Sequence, residues 1–134
     1  MPGIYGLGRL PLSKVREREP LIIKDECKIT NLINVEDLAR IVWRVIKDKI
    51  KNEIINVSDG TPITSTEYYL KIYDELNIEY PPFIKMKDAA KYYSKERLSF
   101  MNESRILDVT KMKRLFSDCI EYSKSSDGIK CSLS

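Results

Sequence analysis

Three glycines near the start of the chain, in the spacing Gly3-x-x-Gly6-x-Gly8, resemble a loop that cradles phosphate, where missing side chains let backbone N–H groups approach an anion. A dinucleotide fingerprint also requires a strand before it, a helix opening at its last glycine and an acidic residue about 20 positions on. No complete strand precedes Gly3, and Leu10-Pro11-Leu12 is a poor helix start, so the segment reads as a turn after a strand. Hydride transfer can use a tyrosine four places before a lysine on one helix, because the ammonium one turn away lowers the phenol pKa. None of the eight tyrosines has that lysine. Tyr93-x-x-x-Arg97 keeps the spacing, but a guanidinium stays charged and cannot relay a proton, so Tyr93 reads as a core or surface residue.

Other chemistry is excluded more firmly. The chain has no histidine, which removes Ser-His-Asp and Cys-His nucleophile pairs and every imidazole-bound metal site. Glu36 and Asp37 are adjacent carboxylates, yet neighbouring helix positions diverge by about 100°, and helix-end electrostatics accounts for both. Cys27 lies beside Asp25 and Glu26, which raise rather than lower a thiol pKa. The basic residues Arg9, Lys14, Arg16 and Arg18 are interrupted by Glu17 and Glu19, and they read as a solvated face rather than a nucleic-acid surface.

The elements that must position these residues follow from periodicity. Ile4-Tyr5 is strand-like. Leu21-Ile22-Ile23 and Ile29 to Ile33 are β-branched runs split by a polar stretch, which predicts a hairpin or a pair of short strands. Leu38, Ile41, Val42, Val45, Ile46 and Ile50 recur on one helical stripe, with Asn34 placed as the cap, acids in the first turn and lysines in the last. Glu53 to Val57 reads as a strand ending at Ser58-Asp59-Gly60. Thr64-Ser65-Thr66-Glu67 is a capping box for a second helix that ends near Asn77. A third helix is expected from Lys87 to about Met101, and a short last one capped by Asp108. Ser123 to Ser126 and Gly128 read as an irregular tail.

With 134 residues, 43% of them hydrophobic, the chain is long enough for one domain, spanning residues 1–134. Its net charge of +3 makes no demand for a polyanionic partner. Three cysteines without a C-x-x-C spacing, no apolar run near 18 residues and no basic-then-apolar leader together predict a cytoplasmic protein.

Three segments carry a resemblance: Pro2-Gly3-Ile4-Tyr5-Gly6-x-Gly8-Arg9, Asn31-Leu32-Ile33-Asn34-Val35-Glu36-Asp37-Leu38-Ala39, and Ile55-Asn56-Val57-Ser58-Asp59-Gly60-x-Pro62. In this order and spacing they resemble the NAD-dependent epimerase/dehydratase family, the extended short-chain dehydrogenases/reductases. The tail from Tyr122 to Ile129 looks like that of the sugar-nucleotide-epimerase-like branch. Leu7, Asn34, Ser123 and Ser125 stand where the family usually shows proline, histidine, proline and tyrosine. The resemblance implies an α/β fold of short strands plus three to four helices: the C-terminal, substrate-binding remnant of such an enzyme, without its N-terminal Rossmann half. It implies NAD or NADP as cofactor, with little prospect of this chain binding either alone, because the glycine-rich site and the Tyr-x-x-x-Lys pair belong to the other half. It places the backbone of Pro2, Gly3 and Ile4 beside the nicotinamide and turns Arg9 toward the substrate cleft, and no catalytic residue carries over. The expected function is that of a truncated oxidoreductase of this family, not catalytic alone. The alternative is a non-catalytic protein-interaction module built on the substrate-binding fold. Parallel strands without their neighbours expose edges and an apolar face, which predicts self-association or a separately encoded Rossmann-half partner.

Overall fold

A computed structural model describes residues 3–102 and 106–133 of the chain. Its centre is a parallel two-stranded ribbon, β1 (Gly3–Tyr5) beside β4 (Leu32–Asn34), in the register Gly3 to Leu32, Ile4 to Ile33 and Tyr5 to Asn34. Successive side chains of a strand point to opposite faces, so this ribbon divides the interior. Ile4 and Ile33 look toward one apolar cluster, with Ile41, Met112 and Phe116 at its heart. Tyr5 and Leu32 look toward another, with Val15, Tyr68, Ile72, Tyr73 and Ile129. Helices cover both faces, as parallel strands require. On one side lie α2 (Val35–Lys47) and α5 (Thr110–Phe116), and on the other α3 (Ser65–Leu76) packs against α6 (Ser125–Leu133).

The other strands build two small satellite ladders. β2 (Leu21–Ile22) pairs parallel with β6 (Phe83–Ile84), and β3 (Ile29–Thr30) pairs antiparallel with β5 (Ile63–Thr64). The β-branched runs therefore form no hairpin with each other. Lys24–Glu26 closes into a 3₁₀ turn between them, and each run reaches a partner tens of residues away. The expected strand at 53–57 is also absent. Ile55 and Val57 still pack against the α2 cluster and Ile54 is exposed, but these residues enter no ladder. The next contact with the ribbon is the Asp59 N–H, which donates to the Leu32 carbonyl at 2.6 Å.

Two helices form as their sequences dictate. The Asn34 side chain accepts from the Glu36 N–H at 2.9 Å and caps α2. The Thr64 hydroxyl accepts from the Glu67 N–H at 3.1 Å, and α3 stops at Asn77 in the left-handed region, φ 56°. The expected third helix splits into a 3₁₀ segment, Met86–Lys91, and α4 (Lys95–Asn102), because Ala89 and Tyr93 turn into a third apolar cluster around Ile22. Two helices escape the periodicity reading: α1 (Leu12–Arg16) and α6, which occupies the stretch read as an irregular tail. α6 forms because Ile129 has a cluster to enter and Gly128 lets the helix meet the Tyr5 ring. A Cβ there would come within 2.8 Å of two ring carbons.

Candidate functional site

Open α/β sheets bind ligands beyond the carboxyl ends of their strands, and here β1 and β4 end at Tyr5 and Asn34. β1 runs into a tight turn in which the Arg9 N–H donates to the Gly6 carbonyl at 2.9 Å, with Gly8 at φ 76° as the third turn residue requires. Gly3 lies in the ladder and donates to the Asn31 carbonyl at 2.7 Å, Ile4 packs on the α2 side, and Arg9 projects from the turn as an exposed side chain. Pro2 lies outside the described residues. The structure thus brings Gly3, Ile4 and Arg9 to one strand and the turn that follows it.

These glycines do not make a phosphate cradle. A Cβ on Gly3 would touch Leu32 Cδ2 at 3.1 Å, and one on Gly6 would overlap the Val35 side chain, so sheet and helix already fill the space. Gly8 faces open space, but the next helix begins only at Leu12, behind Pro11. Gly3 and Gly6 are thus packed within the fold and do not form an open backbone cradle for a phosphate.

Beneath the turn lies a buried polar cluster that sequence reasoning missed. The Asp59 carboxylate accepts from the Thr61 N–H at 2.9 Å through Oδ1, while Oδ2 is buried without a hydrogen-bond partner among the described residues. The Tyr5 hydroxyl is in the same state. Burial pushes the Asp59 carboxyl up to about 6, against the Thr61 N–H and the Lys71 ammonium, which pull it down. Burial, reinforced by the Asp59 charge, drives the Tyr5 phenol well above its ordinary range. Close by, Lys71 Nζ donates to the buried Ser125 hydroxyl at 3.0 Å, tying α3 to the start of α6.

Asp37 is more than a helix-end charge. Its side chain is wholly buried, bound to Arg40, and accepts from the Glu121 and Tyr122 N–H groups at 3.0 Å each. Arg40 reaches on to the Cys119 carbonyl at 3.0 Å. The signal for this anchor is present in the sequence: Asp37 shares the i, i+4, i+8 row with Ile41 and Val45, so an acid stands on the apolar face. Glu36, one position earlier, is exposed, and the two carboxylates form no pair.

The remaining candidates resolve into packing. Arg97 lies 4.2 Å over the Tyr93 ring and is held by Glu19, and the Tyr93 hydroxyl donates to the Pro20 carbonyl. A shallow cleft lined by Tyr69, Tyr93, Arg97, Ser65 and Thr66 therefore presents polar groups that are already engaged. Arg18 donates to the Glu79 and Tyr80 carbonyls and Lys14 pairs with Glu19, so these two cations of the basic stretch serve the fold, while Arg9 and Arg16 are exposed. All three cysteines are free, and Cys27 Sγ lies 3.0 Å from the Ser65 hydroxyl. No described helix is long and apolar enough to cross a membrane.

Comparison with known proteins agrees on the fold. No family model and no curated protein matches the sequence. Among solved structures, a functionally unknown conserved protein from Silicibacter pomeroyi superposes with a TM-score of 0.87 at 22% identity, over 99% of this chain and 46% of its own. The human epimerase family protein SDR39U1, solved with NADPH, gives 0.74 at 12% identity over 99% and 46%. UDP-N-acetylglucosamine 4-epimerase from Methanobrevibacter ruminantium, solved with UDP-N-acetylmuramic acid, gives 0.68 at 14% identity over 98% and 42%. The chain has the α/β fold of part of these epimerase and short-chain dehydrogenase structures and spans less than half their length.

Proposed function

We propose that these residues are the substrate-binding part of an NAD(P)-dependent oxidoreductase of the epimerase/dehydratase type, acting on a sugar nucleotide or related substrate, and that they do not catalyse alone. The observation that carries this reading is the match of nearly the whole chain to less than half of the length of those structures. Nearly the whole chain superposes on structures solved with NADPH or a sugar-nucleotide ligand, yet the described glycines are packed against Leu32 and Val35. No tyrosine precedes a lysine by four positions. The nicotinamide would supply the hydride. The chain's own contribution is the backbone of Gly3 and Ile4 along one side of the ring and the Arg9 guanidinium as a cation for an anionic substrate. Three free cysteines suit a reducing compartment such as the cytoplasm.

Titration of the purified chain with NADPH and NADH, followed by thermal shift, tests this. A ligand that binds the native state raises its melting temperature, and the expected result is no shift with either nucleotide. Saturable stabilisation by one of them would mean that the chain builds a nucleotide site of its own, and the division of labour would be wrong.

A further inference from the structure

Lys71 on α3 gives its ammonium to a neutral partner. Its Nζ donates at 3.0 Å to the hydroxyl of Ser125, the first residue of α6, and Ser125 is 1% exposed. Across the low dielectric of an interior, an ammonium is drawn far more strongly to a carboxylate than to a hydroxyl. Such a carboxylate is near. Asp59 is 5% exposed, its Oδ2 has no hydrogen-bond partner among the described residues, and its carboxyl feels the pull of Lys71. Yet no hydrogen bond or ion pair joins the two among the described residues.

The other groups that face Asp59 leave Lys71 as the cation that decides. Tyr5 reaches it from β1 as a neutral phenol, with its pKa driven upward. Asp37 acts on it from α2, but that charge is taken up by Arg40 and by the Glu121 and Tyr122 N–H groups. Lys113 comes from α5, its Nζ 3.5 Å from the position a Cβ on Gly60 would take, but it is exposed and its charge is screened by water. Lys71 is half-buried.

The arrangement in the structure suits a neutral Asp59, which needs no counter-ion and leaves the ammonium to fasten α6 to α3. An ionised Asp59 is a buried charge with an unpartnered oxygen, and Lys71 can offset part of that cost by turning its flexible four-carbon stem. We propose that Lys71 is the moving part of a proton-operated clamp: with Asp59 protonated it holds Ser125 and ties α6 to α3, and with Asp59 ionised it turns to Oδ2, leaves Ser125 and loosens the first turn of α6. The carboxyl titrates at about 6, so a change of one or two pH steps around that value exchanges the two states.

Hydrogen–deuterium exchange of the 134-residue chain at pH 5 and pH 7.5, corrected for the pH dependence of intrinsic exchange, reads the clamp. On going to pH 7.5 the amides of Gly128 and Ile129 should lose protection by at least about threefold more than those of α2, the mark of a local opening rather than a change in global stability. Asp59→Asn removes the titration and keeps Lys71 on Ser125, so protection of α6 relative to α2 should be the same at both pH values and equal to that of the parent at pH 5. Lys71→Met should give weak protection of α6 at both, since it has no ammonium to place. A parent in which α6 follows α2 at both pH values would overturn the clamp, and so would an Asp59→Asn chain that loosens as the parent does. Should these variants not fold, Ser125→Ala decides, with the Asp59 carboxyl followed by nuclear magnetic resonance. Linkage is reciprocal, so removing the competing acceptor frees Lys71 for Asp59 and the carboxyl should titrate at lower pH than in the parent. An unchanged titration would mean that Lys71 never turns to Asp59, and the clamp would be wrong.

Discussion

At Asp59 the local chemistry and the fold pull in opposite directions. The segment 58–60 must turn beneath the β1 and β4 strand ends, and Asp59 Oδ1 holds that turn through the Thr61 N–H. The same turn leaves Oδ2 buried and unpaired among the described residues, and burial raises the carboxyl from 3.8 to about 6. A carboxyl whose folded pKa lies above its unfolded value stabilises when protonated. Its contribution is complete below about pH 4 and is lost as the pH rises through about 6. Asp59→Asn keeps the acceptor for Thr61 and removes the buried charge. The variant should gain on the order of 2 kcal/mol at pH 7, a difference that fades as the pH falls toward 4. Urea unfolding of both proteins at pH 4, 5, 6 and 7 measures it, and parallel pH profiles would mean that Asp59 is solvated. The turn at Ser58-Asp59-Gly60 was readable from residue types. The burial of its carboxylate was not, because it depends on Tyr5 and Lys71, which are distant in sequence.

Asp37 shows what an element gains from a single buried acceptor. It caps nothing on α2 itself; it fixes the 119–122 segment by taking the Glu121 and Tyr122 N–H groups, and α6 follows directly. Asp37→Ala leaves those two N–H groups without acceptors and frees Arg40, at a cost of about 3 kcal/mol. Amide exchange should accelerate most across 119–133, with the first turn of α2 little changed because Asn34 still caps it. Uniform acceleration would argue that Asp37 acts on the whole fold rather than on this segment. The contrast between α2 and α6 explains how legible the elements were. α2 and α3 carry their own instructions in the form of Asn34, Thr64, Glu67 and a 3.6-residue period. α6, with Ser125, Ser126 and Gly128 in its first half, has poor intrinsic propensity and is helical because its Ile129 has a cluster to enter and Lys71 and Tyr5 receive its first turn. The strands failed for the same reason. Runs of two or three β-branched residues specify extended backbone, while their partners, Phe83 for Leu21 and Thr64 for Ile29, are set by the whole fold. The candidate site divides likewise: Gly6 and Gly8 announced a turn, whereas the pairing that places Gly3 and Ile4 beside Leu32 and Ile33 emerges only once β1 has found β4.

For the molecule as a whole, the consequence of a ribbon shared by two clusters is mechanical coupling. Ile33 is fully buried in one cluster, and its chain neighbour Leu32 is buried in the other, so neither cluster can loosen without disturbing the backbone that serves both. The chain also carries separate reporters for the two sides. Trp43 is exposed on α2, the helix whose buried side enters the Ile33 cluster, while Tyr5, Tyr68 and Tyr73 belong to the Leu32 cluster. If the ribbon couples them, tryptophan fluorescence and near-ultraviolet tyrosine dichroism should report one coincident urea transition. Ile33→Ala, which empties space only on the α2 side, should cost about 2–5 kcal/mol and shift both signals together. Separated midpoints in the parent, or an Ile33→Ala variant that moves the tryptophan curve alone, would show two weakly joined halves. Coincidence would instead mean that three pairs of β1 and β4 residues make these helices one cooperative body. A ligand that binds the α2 side would then stabilise the distant α3 and α6 pair as much as the helix it touches, because binding to the native state is distributed over everything that unfolds with it.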